Sequence, residues 1–495
     1  MTSRAVGRWL LAGPAGTAAF LLAAEILRGP RTRRYLFTRV ERRLRERLAD
    51  PPVPPPWRAR DRERTLLALG ALRSLDRTLA RGTLSPHVLR AIVRLWGRAG
   101  LVPNRATRSG RRFARHHGAP PPWFLVLAPT QACNLRCPDC YAEAGADVHL
   151  PWPVLDRVLA EARERWDARL VVLSGGEPLL YRSEGHDVLD LVARHRRFLY
   201  LMFTNGTLIT PDVAHRLGKL GNLTPAISVE GGEGTTDRRR GAGTFRQIEQ
   251  AMAHLRAHGV PFGISVTVTR DNVDEVLSES FLDLFFEQQG AFYGFLFHYM
   301  PIGRRPNLDR MLTPAERVEL WRRSWDVVER RGIFLFDFWN SGPVVQGCLA
   351  AGREGGYLYI DWNGDVFPCV FVPYRGANVI EAFARGESLD DVWEAPLFSR
   401  LRGWQRSYGY GAPAPTRDGD WLRPCPMRDH HVELQGLLQD LPASASPLLD
   451  PELSTALDAF GAQLATLTTP IWREHYLSDN GRSYSRRRSS RSLSR

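Results

Sequence analysis

Six cysteines occur in 495 residues, and three of them, Cys133, Cys137 and Cys140, fall within eight positions. Thiolates spaced four and then three residues apart can wrap a compact soft-metal centre. A structural zinc ion takes four ligands, and no fourth ligand is close in sequence, since His116 and His117 lie before the apolar run that precedes the triplet. Three ligands suit a four-iron cluster with one iron left open to a group that is not protein. The remaining cysteines, Cys348, Cys369 and Cys425, are spread out. They read as ligands of a second iron–sulfur centre, as a zinc site completed by His430 or His431, or as ordinary buried thiols. At most one further cluster is possible, its last position left open or filled by Asp429, His430 or His431. So few cysteines exclude a disulfide-stapled secreted scaffold.

The elements that must carry these thiols follow from hydrophobic periodicity. Short apolar runs cover 124–130, 170–176, 200–206, 225–231, 262–269 and 292–300. Helical patterns fill 154–166, 186–195, 211–220, 244–258 and 273–288 between them. Six such βα units predict an α/β fold, a parallel sheet curled into a partial (β/α)6 barrel. In such sheets polar chemistry gathers at the C-terminal strand ends. The cysteine triplet follows the first run directly, and later runs end in Ser174–Gly176, Thr204–Gly206, Ser228–Glu230 and Thr267–Thr269. His298, on the sixth run, reads as a structural residue and carries no assigned role.

With these strand ends in place, the sequence resembles the radical S-adenosylmethionine (radical SAM) enzymes. The C-x3-C-x2-C triplet is their signature, and Ser174-Gly175-Gly176-Glu177-Pro178 is similar to their glycine–glycine–glutamate–proline element. Two glycines let backbone approach a ligand closely. By resemblance Glu177 meets the methionine amine of SAM, Thr204 and Asn205 end the third strand, and Ser228 and Glu230 meet the ribose and methionyl part. Arg240, last of the Asp237–Gly241 loop, lies near SAM by the same resemblance, and adenine rests on Met300–Gly303. The residue before the third cysteine is usually aromatic or His, but here it is Asp139; either Tyr141 takes the adenine contact or adenine is held differently. The resemblance implies a [4Fe-4S] cluster, SAM, a 5′-deoxyadenosyl radical that abstracts hydrogen from an unactivated C–H bond, and an electron donor of flavodoxin or ferredoxin type.

Cys348 is followed by fifteen residues, Gly364, four residues and Cys369, within YLYIDWNGDVFPC. Residues 357–361 and 366–372 read as a hairpin turned through glycine. This resembles the opening of a truncated SPASM or twitch domain, which implies one auxiliary iron–sulfur cluster on Cys348, Cys369 and Cys425.

The formal charge of +14 is uneven: residues 1–118 carry +19, the tail 482–495 carries +6, and the body between them −11. Residues 9–27 form an apolar stretch with one charge, Glu25, flanked by arginines. That is about the length needed to cross or lie on a bilayer. The expected organisation is a membrane anchor over 1–34, a basic helical region over 35–118 and the barrel over 119–335. An auxiliary-cluster domain follows over 336–435, then a helical segment over 436–481 and a loose basic tail over 482–495. No nucleic-acid module is visible, so the basic helices suit lipid headgroups. The chemistry needs a reducing compartment, which predicts a cytoplasmic enzyme at the inner face of the cell membrane. The leading expectation is action on a lipid or other hydrophobic metabolite; the alternative is maturation of a peptide, protein or cofactor. A non-enzymatic iron–sulfur or zinc scaffold would have no use for the SAM-site residues.

Overall fold

A computed structural model of the protein describes residues 25–101, 104–412, 414–439, 441 and 450–478. The six apolar runs become parallel strands: β1 (Phe124–Leu127), β2 (Leu170–Leu173), β5 (Leu199–Thr204), β6 (Leu223–Val229), β7 (Gly263–Val268) and β8 (Tyr293–His298). Between them β3 (Arg182–Ser183) and β4 (His186–Asp187) make a small separate hairpin. Three strands follow β9 (Leu335–Asp337): β10 (Tyr357–Ile360), β11 (Asp365–Phe367) and β12 (Ala377–Asn378). The main sheet has the order β12-β11-β10-β1-β2-β5-β6-β7-β8-β9. Helices such as Trp152–Trp166, Pro211–Leu220 and Thr244–Ala257 cover its outer face. Most strand residues are apolar because both faces of the sheet are covered. β9 and β12 are edges, so the barrel stays open, as a partial (β/α) barrel should.

Three local expectations are revised. A seventh parallel strand, β9, pairs with β8, Gly294 to Leu335 through Leu296 to Asp337; at three residues it is too short for periodicity to reveal. The pattern over 273–288 is not one helix. Leu277 sits at φ +70, and the Ser278 hydroxyl then accepts from Phe281 N–H to start the short helix Glu279–Leu282. The helix expected over 186–195 is Val188–Arg194, because Asp187 and Asp190 form a capping box and His186 is taken by the β3–β4 hairpin. The expected auxiliary hairpin forms and also joins the main sheet: β10 lies parallel to β1, Phe124 beside Tyr357 through Leu127 beside Ile360.

The basic region packs on the barrel. In the helix Arg58–Ala80, Gly70 rests so close to Ile333 that an added Cβ would stand 2.8 Å from its carbonyl oxygen. Arg62 pairs with Glu329 at 2.5 Å, and Arg64 Nε donates to Val344 O at 3.0 Å. Tyr476, just beyond the C-terminal helix Pro451–Ile471, donates its hydroxyl to Glu63. The helix Pro30–Ala49 is more exposed, with Arg31, Arg34, Arg39 and Arg43 in solvent. No helix among the described residues is long and apolar enough to cross a membrane. Most of the apolar stretch 9–27 and all of the tail 482–495 lie outside the described residues.

Candidate active site and auxiliary cysteine site

The cysteine loop leaves β1 and is clamped from two sides by backbone. From one side Gly176 N–H donates to Thr130 O at 3.0 Å and Glu177 N–H to Ala132 O at 2.7 Å. Gly175 stands at φ +108, where a Cβ would fall 2.8 Å from Ala128 Cβ and Thr130 O. A Cβ on Gly176 would run into the Ala132 carbonyl. The paired glycines thus let two protein loops touch, besides lining the cavity. From the other side Arg304 N–H donates to Cys140 O at 3.0 Å, and its guanidinium donates to Cys137 O at 3.1 Å and to Ala144 O. Nothing in the sequence pattern marked Arg304 for this.

Glu177 lies behind the cavity wall. One carboxylate oxygen accepts from Thr204 Oγ1 at 2.8 Å and Leu179 N–H at 3.2 Å, the other from Asn205 N–H at 2.8 Å. Burial raises its pKa, opposed by those three donors. Asn205 in turn donates to Asn134 Oδ1 at 2.9 Å and to Cys133 Sγ at 3.9 Å. The ends of β2 and β5 therefore hold the first cysteine through side chains.

Asp139 has a different use from the aromatic residue it replaces. Its carboxylate takes Arg239 Nε at 3.0 Å and pairs with Arg310 at 3.0 Å. Glu230 takes Arg239 and, at 2.6 Å, Arg240. Burial alone would lower the Arg239 pKa, but Glu230 and Asp139 outweigh it and the net shift is upward. The second Glu230 oxygen is buried with no hydrogen-bond partner. Tyr141, next to Cys140, gives its hydroxyl to a 2.6 Å hydrogen bond with Ser174, and burial pushes its pKa up to about 12.

These groups enclose a cavity of about 320 Å³ lined by Cys133, Cys137, Cys140, Gly175, Gly176, Thr204, Asn205, Ser228, Arg239 and Arg240. Phe203, Phe295, Phe297, Phe338 and Phe371 add an aromatic wall to the same cavity. Behind that wall a smaller pocket is lined by Cys348, Cys369 and Cys425. Phe338, Tyr357 and Phe371 line both spaces.

The non-cysteine ligands expected at the second site make bonds to other parts of the protein. Asp429 accepts from Cys425 N–H at 3.0 Å and pairs with Arg317 at 2.5 Å. His430 Nε2 engages Arg423 O at 2.8 Å, and His431 bonds Met427 O and Ser454 Oγ. None of the three lines the pocket. Among the described residues no three His, Cys, Asp or Glu side chains close around a single ion, as a zinc site requires. Ligands of a cube of irons stand farther apart.

The sulfurs themselves suit clusters. Burial pushes Cys133 and Cys348 up to about 11 and Cys369 up to about 12. Such thiols keep their protons unless a metal charge compensates. Backbone N–H groups already point at three of them: Leu135 to Cys133 at 3.5 Å, Ala350 to Cys348 at 3.4 Å and Phe371 to Cys369 at 3.5 Å. Donors of this kind are what cluster sulfurs accept.

Comparison with known proteins agrees. Residues 127–279 match the model of the radical SAM superfamily, and residues 348–415 match the SPASM iron–sulfur cluster-binding domain. The mycofactocin maturase of Mycobacterium ulcerans is 30% identical over 315 residues, 60% of this chain and 81% of that one. The chain belongs to the radical SAM superfamily. A second relative, the AdoMet-dependent heme synthase of Nitratidesulfovibrio vulgaris, is 28% identical over 328 residues, 59% of this chain and 84% of that one. Among solved structures, Streptococcus suis SuiB bound to precursor peptide SuiA aligns at TM-score 0.49 and 19% identity, covering 64% of this chain and 72% of that one. This radical SAM enzyme uses a [4Fe-4S] cluster and SAM, together with auxiliary iron–sulfur; the matched SPASM segment contains Cys348 and Cys369.

Proposed function

We propose that this radical SAM enzyme matures a peptide, protein or cofactor precursor, and that the group it attacks is apolar. The lining of the cavity carries the reading: arginines and the cysteine triplet together with phenylalanines, of which Phe338 and Phe371 also line the auxiliary pocket. The cluster on Cys133, Cys137 and Cys140, when bound, supplies the electron that splits SAM into methionine and a 5′-deoxyadenosyl radical, which takes a hydrogen atom from a substrate C–H bond. The chain's residues do the rest. Arg239 and Arg240, held by Glu230, offer fixed positive charge to a carboxylate. Glu177, Thr204 and Asn205 hold the cluster loop in place, and the phenylalanine walls keep water from a reactive carbon.

The lipid substrate expected from the N-terminal stretch finds no support in the relatives. One is named for heme synthesis and one for mycofactocin maturation. A tether at residues 9–27 stays an expectation of the sequence alone, tested by comparing membrane partition of the full chain with a chain starting at residue 35. The test of function is 5′-deoxyadenosine release by the anaerobically reconstituted, reduced enzyme. Cytosolic peptide or cofactor-precursor fractions should accelerate release, and Cys137→Ala should abolish it. Acceleration by lipid extract alone would overturn the maturation reading.

A further inference from the structure

Tyr357 opens β10, and Cys369 lies two residues beyond β11. The two strands pair antiparallel with Tyr359 opposite Phe367. Continuing that register by two steps sets Tyr357 across from Cys369, with both side chains on one face. Their contact follows: the Tyr357 hydroxyl stands 2.9 Å from Cys369 Sγ. Tyr357 is 2% exposed, its ring packs on Phe124 at 4.8 Å between centroids, and it lines both the SAM cavity and the auxiliary pocket.

We propose that Tyr357 is a positioning residue that donates its hydroxyl hydrogen to the Cys369 sulfur and thereby raises the reduction potential of the auxiliary cluster. The direction of the bond follows from chemistry. A sulfur bound to iron has no proton and can only accept, so the phenol is the donor. Phe371 N–H reaches the same sulfur at 3.5 Å, so Cys369 receives two donors. A donor aimed at a cluster sulfur stabilises the more negative, reduced state and moves the potential up. The ring meanwhile forms part of the partition between the two sites. The auxiliary cluster is thereby tuned by a residue that also touches the substrate side of the wall.

The proposal rests on Cys348, Cys369 and Cys425 holding iron, and its test separates the two. A Cys137→Ala background removes the barrel cluster, so EPR-monitored redox titration of the full chain reads the auxiliary cluster alone. Failure of that background protein to hold any iron would overturn the cluster assignment itself. With iron present, Tyr357→Phe should shift the midpoint to lower potential at unchanged auxiliary iron content. Tyr374→Phe, another buried tyrosine that lines neither cavity, should leave it in place. Placing 3-fluorotyrosine at 357 keeps ring and hydroxyl, makes the hydroxyl a stronger donor and should shift the midpoint upward. That variant decides the matter if Tyr357→Phe does not load iron. Equal midpoints for the parent and the 357 variants would overturn the proposal.

Discussion

Asp139 shows how one residue can depart from a family pattern and still be accounted for. It is nearly fully buried, yet its carboxylate meets two guanidinium groups, Arg239 and Arg310. The departure exchanges an aromatic contact for an ion pair at the cavity wall. A buried ion pair adds little net stability, but breaking one by removing a partner costs about 3–5 kcal/mol. Asp139→Asn should therefore lower the midpoint of denaturant unfolding by an amount equivalent to about 3 kcal/mol. Because Arg239 loses an anchor beside the cysteine loop, KM for SAM should rise more than kcat falls. Unchanged stability together with unchanged KM would show that Glu230 alone suffices to hold Arg239.

At the level of elements, the hairpin β10–β11 does more than deliver Cys369. Its turn is organised by Asp361, whose carboxylate accepts from Asn363 N–H at 2.9 Å and Asp365 N–H at 3.0 Å, with Gly364 at φ +77. Burial pushes Asp361 up to about 7, reinforced by the Asp365 charge and opposed by the two N–H donors. An acid whose folded pKa lies above its unfolded one favours folding most when protonated. Its contribution is full below about pH 4 and fades as pH rises through 7. Asp361→Asn keeps an acceptor oxygen without the charge. It should stabilise the enzyme above pH 7 by an amount on the order of 2 kcal/mol, with a much smaller gain at pH 4.5. Urea unfolding at pH 8 and pH 4.5 checks this, and equal stability of the two proteins at pH 8 would refute it.

Across the whole molecule, both ends of the described chain close on each other over the barrel. Tyr476 reaches Glu63, while Trp472 is wholly buried against Trp421 at 5.4 Å. Helix 58–80, part of the basic helical region expected over 35–118, is thereby fixed between the barrel and the C-terminal helix. Removing one partner from a buried hydrogen bond to a charged group costs about 1–3 kcal/mol. Tyr476→Phe should lower Tm measurably while leaving the iron content and the 5′-deoxyadenosine rate at low temperature unchanged. A parallel loss of barrel iron would mean that the end-to-end closure also supports the cluster loop.

The cysteine spacing, the six apolar runs and the motifs at the strand ends were legible in the sequence, because thiol ligands and strand periodicity are local properties. They led to the superfamily, the parallel barrel and the two sets of three cysteines. Partners distant in the chain were not legible. Besides the SAM contact that the resemblance implies for Glu177, its carboxylate accepts from Asn205 N–H, 28 residues further on. The bonds that Asp429, His430 and His431 make to Arg317, Arg423 and Ser454 join residues far apart in the chain. β9, three residues long, exists because β8 offers it an edge. Tyr357 looked like an ordinary strand residue, and only the register of β10 against β11 set its hydroxyl on Cys369. Sequence determines which groups can do chemistry; which of them reach a ligand and which are bonded to the protein is decided by long-range packing, because buried polar groups must be satisfied by whatever the fold places beside them.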